Sequence, residues 1–167
     1  MSMTVSPESS IPQSGRIGVS RRLARQLALQ MLFQHEFQDQ DPSWQDKFWS
    51  SQSTSRDVRA FTSFLVEGVL KHQHEIDELI RHFAVDWSLE RMPVVDRNIL
   101  RCAIFELLWA PDIPAMATIN EAIELAKRFA DEEAKKFVNG LLDHILRDDV
   151  RLTDKRKHLK QKTFPAE

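Results

Sequence analysis

One cysteine, four glycines and no long apolar run: these shortages narrow the 167-residue chain before any motif is read. A single thiol, Cys102, cannot close an internal disulfide or build a cysteine metal cluster. Its place inside an apolar run predicts a buried, reduced side chain, as in a cytosolic protein. With four glycines there is no loop to cradle a phosphate, and neither a dinucleotide fingerprint nor a P-loop occurs. The apolar runs are too short to span a bilayer, and "MSMTVSPESSIPQSG" lacks the apolar core of a signal peptide. Alternating strand patterns are missing too, so the chain reads as all-α.

A further shortage is local. From Ile11 to Gln34 there is no Asp or Glu, yet Arg16, Arg21, Arg22 and Arg25 lie in that stretch. The formal net charge of -2 hides this asymmetry. Residues 147–162 add seven Lys and Arg against Asp148, Asp149 and Asp154, which leaves the middle of the chain acidic. Such a chain can hold a polyanion locally while its total stays near zero.

Residues 1–19 are rich in Ser, Pro and Gly and read as a disordered leader; 20–149 read as one helical domain; 150–167 read as a basic tail that frays from the last helix. Ser20 is the expected N-cap of a first helix running to about Gln38, with Leu23, Leu27, Ala28, Met31 and Leu32 on its buried face. A short helix is expected near Trp44–Ser51. A long one should follow from Asp57 to Phe83, with Phe61, Phe64, Leu65, Val69, Ile76, Leu79 and Ile80 inward. Pro93 suits the first turn of a nearly apolar helix ending at Trp109. Thr118 and Glu121 have capping-box spacing, and Asp131 is placed to cap a last helix whose stripe is Phe137, Val138, Leu141, Leu142, Ile145 and Leu146. Gly68 and Gly140 fall inside expected helices, where glycine costs about 1 kcal/mol relative to alanine. A close neighbouring helix is the expected return.

No catalytic constellation stands out. His72 and His74 are two residues apart, on different sides of a helix, and head no zinc motif. Glu121 and Glu124 share a face, but capping engages the first and an ion pair with Arg128 is expected for the second. The serines lack a nucleophile elbow. The expectation is no enzyme, no metal and no cofactor. What remains is the arginines. Arg21, Arg22 and Arg25 form one patch at the expected helix start, and Gln26 and Gln30 extend it with neutral hydrogen-bonding groups. Guanidinium forks suit phosphate, and free helix N–H groups at the same end favour it too. On residues alone, an RNA or DNA backbone, an acidic protein surface and a merely solvated helix end all fit.

The blocks "DRNILR", "FELL" followed by "DIP", "INEAIELAK" and "KFVNGLLD", in this order and spacing, resemble the C-terminal half of the NusB family of transcription antitermination factors. "RRLARQLALQMLF" and "FLVEGVLKHQHEID" agree more loosely, so the similarity covers about Ser20 to Ile145. It implies about seven helices in two small bundles packed crosswise. It also implies a cytoplasmic binding role: holding single-stranded boxA RNA of nascent ribosomal transcripts together with NusE, a small-subunit ribosomal protein, within an RNA polymerase antitermination complex. Under this resemblance Arg21, Arg22 and Arg25 fall in the RNA-binding arginine segment, with Gln30 beside it. Glu133, Lys136 and Phe137 fall in a second RNA-contacting region, and Asp96 at a position associated with NusE. Phe33 is expected in the core; for Phe137 base stacking and core packing both stand. Alternatives are a protein adaptor or homodimer, since some members self-associate, and an accessory domain related to those of RNA cytosine methyltransferases. The last is disfavoured because no methyl-donor site follows.

Overall fold

The computed structural model describes residues 13–38 and 41–160, with backbone alone at 13–19 and 160. Among the described residues there are seven α-helices: α1 (Gln13–Phe37), α2 (Trp44–Ser50), α3 (Arg56–Phe83), α4 (Val94–Trp109), α5 (Ala115–Phe129), α6 (Glu132–Asp148) and α7 (Thr153–Lys160). No strand occurs among the described residues. Their starts follow local chemistry. The Ser55 hydroxyl accepts from the Val58 N–H at α3, and Asp131 accepts from the Ala134 N–H at α6, as expected of N-caps. Pro93 precedes α4 and Pro114 precedes α5, each with extended ψ and no side-chain cap.

Two groups of helices share α4. On one side α1 packs against α3 and α4, with α2 on α1; on the other α5 and α6 pack against each other and α4. This explains why α4 is apolar nearly all round: Ile99, Leu100, Cys102, Ala103, Ile104, Phe105 and Leu107 are all buried. Burial pushes the Cys102 thiol up to about 12, with the Glu106 charge adding to it, so at neutral pH it is an unreactive thiol.

Gly68 lies where α3 meets α4. A Cβ built there would stand 2.1 Å from Cζ of Phe105. That ring has no room to retreat, because Phe64 and Trp109 pack on it with centroids at 5.1 and 5.7 Å. Gly68→Ala is therefore expected to destabilise by about 1–3 kcal/mol despite alanine's better helix propensity. Urea unfolding checks this, and an unchanged or raised midpoint contradicts the packing argument. Gly140 has no such neighbour within 4 Å, so the close approach expected there is absent.

Three expectations are corrected. Helix α1 begins at Gln13, so Ser20 is inside it and caps nothing, and the proposed boundary at residue 20 falls within a helix. The earlier part of the leader, residues 1–12, lies outside the described residues. Leu23 and Phe64, both expected inward, are exposed. The third correction concerns the tail, which docks through at least Leu159. Lys155 is buried, and its ammonium donates to the carbonyls of Glu106, Ala110 and Ile113 at 3.1, 2.8 and 2.6 Å. Arg156 donates to the carbonyls of Leu146 and Asp149, both at 2.7 Å. One side chain thus closes the C-terminal end of α4 and the other that of α6, where helix carbonyls lack partners. Part of the basic charge of 147–162 is thereby committed to structure; residues 161–167 lie outside the described residues.

Candidate nucleic-acid interface

The three arginines of α1 differ in their ionic partners, although the guanidinium carbons of Arg21 and Arg25 both lie over the Phe61 ring, 5.2 and 5.6 Å from its centroid. Because α1 starts at Gln13, they sit in its interior, where backbone N–H groups are already bonded. The expected gift of free N–H groups to a phosphate is absent. Arg25 is only 5% exposed. Its Nε and Nη2 donate to the two carboxylate oxygens of Glu106 at 2.9 and 2.7 Å, and the Thr118 hydroxyl donates to the same carboxylate at 3.2 Å. Arg25 is therefore a buried structural cation and not a phosphate ligand. Thr118 lies a turn inside α5 and not at its N-cap, so the expected capping box with Glu121 does not form.

Glu121 has a different task. Arg22 donates from Nε and Nη2 to its two oxygens at 3.1 and 2.8 Å. Hydrogen bonding to Glu121, then its charge, holds the Arg22 guanidinium above its ordinary pKa. Even so, the Arg22 side chain is 56% exposed, so one side of the fork stays open to solvent. Arg21 has no carboxylate partner among the described residues; its guanidinium carbon lies 5.2 Å from the centroid of Phe61. The expectation of an unneutralised cluster thus reduces to Arg21, free of carboxylates, and Arg22, paired but accessible.

An exposed trough continues between α1 and α5. Arg22, Gln26, Glu121, Glu124, Lys127 and Arg128 border one depression. Leu29, Gln30, Phe33, Gln34, Val95 and Phe129 line a more apolar one of about 280 Å3. Gln30 is exposed, as a binding role requires. Phe33, expected in the core, is 41% exposed and meets Phe37 with ring centroids 4.9 Å apart and planes tilted by 52°. The core at that level is already filled by Met31 and Leu32, the buried neighbours of Phe33 on α1. Glu124 pairs with Lys127 and not with Arg128, which lies over the Phe129 ring instead.

Glu133, Lys136 and Phe137 share the first two turns of α6. Glu133 and Lys136 are exposed, and neither has an ion-pair partner among the described residues. Phe137 is half-buried against the core while its ring meets that of Trp87, centroids 5.3 Å apart. The core-packing expectation for Phe137 is thus met on one side of the ring, while the other side meets Trp87 at the surface. Asp96 is half-buried in the first turn of α4. Burial, then the neighbouring Asp131 charge, raises its carboxyl above the usual range. It has no hydrogen-bonded or ionic partner among the described residues.

A second ionic cluster went unread in the sequence. Arg101 clasps Asp77 through Nε and Nη2 at 2.8 and 2.9 Å and reaches Glu36 at 2.8 Å; Arg97 and Asn98 also donate to Glu36. Burial pushes the Glu36 carboxyl up, but Arg97, Arg101 and Asn98 together draw it below the ordinary value. These bonds fasten the end of α1 to α3 and α4. Charges inside an otherwise apolar α4 were the available signal, since a buried charge needs a partner. Among the described residues no group of His, Cys, Asp and Glu is placed to hold a metal ion, and no helix is long and apolar enough to cross a membrane.

A family model described as the NusB family matches residues 22–147. This chain belongs to the NusB family. It is 48% identical over 131 residues to the transcription antitermination protein NusB of Heliobacterium modesticaldum, covering 78% of this chain and 64% of that protein's length. The NusB of Desulfitobacterium hafniense is 46% identical over 135 residues, covering 77% and 88%. Among solved structures, T. maritima NusB superposes with a TM-score of 0.69 at 38% identity, covering 77% of this chain and 91% of that one. A structure of the antitermination factors NusB and NusE in complex with double-stranded RNA gives 0.68 at 28% identity, covering 77% and 96%. The NusB-like arrangement of helices expected from the sequence motifs is therefore the fold of this chain.

Proposed function

We propose that this protein is a transcription antitermination factor that binds boxA RNA of nascent ribosomal transcripts together with NusE, in the cytoplasm and without catalysis. The observation that carries the reading is the pair Arg21 and Arg22 in the family's arginine segment, one unclaimed by any carboxylate among the described residues and the other paired yet open. Relatives that bear the NusB name, and a neighbour that holds NusE and RNA at once, support it. Guanidinium groups fix the RNA backbone, and unpaired bases supply sequence choice through their edges.

The NusE face is assigned to Asp96 and the apolar trough next to it. Val95, beside Asp96 on α4, lines that trough with Phe33 and Phe129. An apolar centre with a carboxylate, Asp96, beside it in sequence suits a basic ribosomal protein. Binding of boxA-like and scrambled oligonucleotides, with and without NusE, tests the whole reading. The expected result is tighter binding of boxA-like RNA, strengthened further by NusE. Equal affinity for the scrambled strand under both conditions overturns it.

A further inference from the structure

We propose that Trp87 is a base-stacking residue: with Phe137 it forms a two-ring platform for an unpaired base of the bound RNA. The inference rests on the RNA-binding reading above and extends it to a residue that the sequence motifs did not single out. Trp87 is 60% exposed, in the segment between α3 and α4. Its backbone is not loose. The Trp87 N–H donates to the Ala84 carbonyl at 3.1 Å, closing a turn, and the buried side chains of Ala84 and Leu89 anchor that turn on both sides. The indole is thus held outward by a fixed frame.

It is held against Phe137. The two rings lie 5.3 Å apart with planes 51° from parallel, so the indole continues the Phe137 ring away from the core into solvent. Phe137 is the floor, packed on the core from below. An exposed indole gives up burial that most tryptophans obtain, and residues of this kind gather where a partner will cover them. Charges of both signs flank the platform in sequence, with Asp86 and Glu133 exposed beside two exposed cations. Lys136 precedes Phe137, Arg91 follows Trp87 by one turn, and neither is ion-paired among the described residues. Aromatic faces for bases with cations for the backbone are what single-stranded nucleic acid uses. The occupant is assigned as RNA because unpaired bases offer flat faces to such rings, and the exposed Lys136 and Arg91 stand beside them in sequence for the backbone.

Fluorescence anisotropy with a labelled boxA-like strand, using the full chain with NusE present, tests this. Trp87→Ala is expected to weaken binding about ten-fold, as loss of one stacked base does, while Trp87→Phe keeps most of the affinity. The salt dependence should stay that of the wild type, because stacking releases no counterions. Urea midpoints of the variants should match the wild type, since the indole is outside the core. Wild-type affinity in Trp87→Ala overturns the platform while leaving the RNA-binding reading intact. Failure of the wild-type protein to bind RNA overturns both. Weakened NusE binding in the absence of RNA, with RNA affinity unchanged, also overturns it and makes Trp87 part of a protein interface.

Discussion

Glu106→Ala is expected to lower the unfolding free energy by about 3–5 kcal/mol, a large share of the roughly 5–15 kcal/mol that keeps a domain folded. Glu106 is 2% exposed and stands at the junction of α1, α4 and α5. Its carboxylate takes both forks of Arg25 and the Thr118 hydroxyl, and its backbone carbonyl takes Lys155 of α7. Removing the carboxylate leaves the Arg25 guanidinium buried without a counter-charge and the Thr118 hydroxyl without its acceptor. Uncompensated desolvation, more than loss of attraction, is the source of the penalty. The same logic distinguishes the single change from a combined one. Replacing the set together, as Arg25→Met with Glu106→Leu and Thr118→Val, removes the charges along with their need for partners. It should restore most of the lost stability. Urea unfolding of both variants decides. A single variant within 1 kcal/mol of wild type, taking about 1 kcal/mol as one ordinary hydrogen bond, contradicts the ionic junction.

That junction also shows where the sequence was legible. Helix periodicity and proline positions located α2, α3, α4 and α6 to within a residue or two at most ends, because apolar spacing and caps are local properties. The glycine argument held at Gly68, where the Phe105 ring fills the space, and failed at Gly140, where nothing lies within 4 Å, because the neighbour across a helix is a tertiary property. The partners of the arginines were not readable. The absence of acids between Ile11 and Gln34 is true along the chain, but Glu106 and Glu121 come from α4 and α5, 81 and 99 positions away from the arginines they bind. Thr118 and Glu121 matched a capping box by spacing, yet Pro114 starts the helix earlier and tertiary partners claim both side chains. The basic end misled in the opposite sense. Charge counting treats Lys155 and Arg156 as solvated, while the fold spends them on helix carbonyls. Phe33 failed for a geometric reason: Met31 and Leu32 already fill the inward face at that level, so an aromatic between them and α5 is left on the rim.

Arg21→Ala combined with Arg22→Ala is expected to lower affinity for boxA-like RNA by about ten-fold or more, since each removes a charge-assisted phosphate contact. Arg25 is left intact in this test because its loss would leave Glu106 buried without a counter-charge, and the resulting destabilisation would imitate a binding defect. Loss of two phosphate contacts should reduce the slope of log affinity against log salt by about 1.4 for a single strand. This slope separates the cause from a general weakening, which lowers affinity at every salt concentration alike. Arg22 carries a further consequence. In the free protein Glu121 holds its fork, so a phosphate must compete with that carboxylate for the same nitrogens. Glu121→Gln removes the competing charge and should tighten RNA binding severalfold at low salt, with little change in stability because Arg22 is exposed and the amide oxygen of Gln still accepts from it. If Glu121→Gln instead weakens binding, Glu121 orients Arg22 toward the RNA and the two partners do not compete. If the double arginine variant keeps both wild-type affinity and wild-type slope, the backbone of the RNA rests somewhere other than on the arginine face of α1.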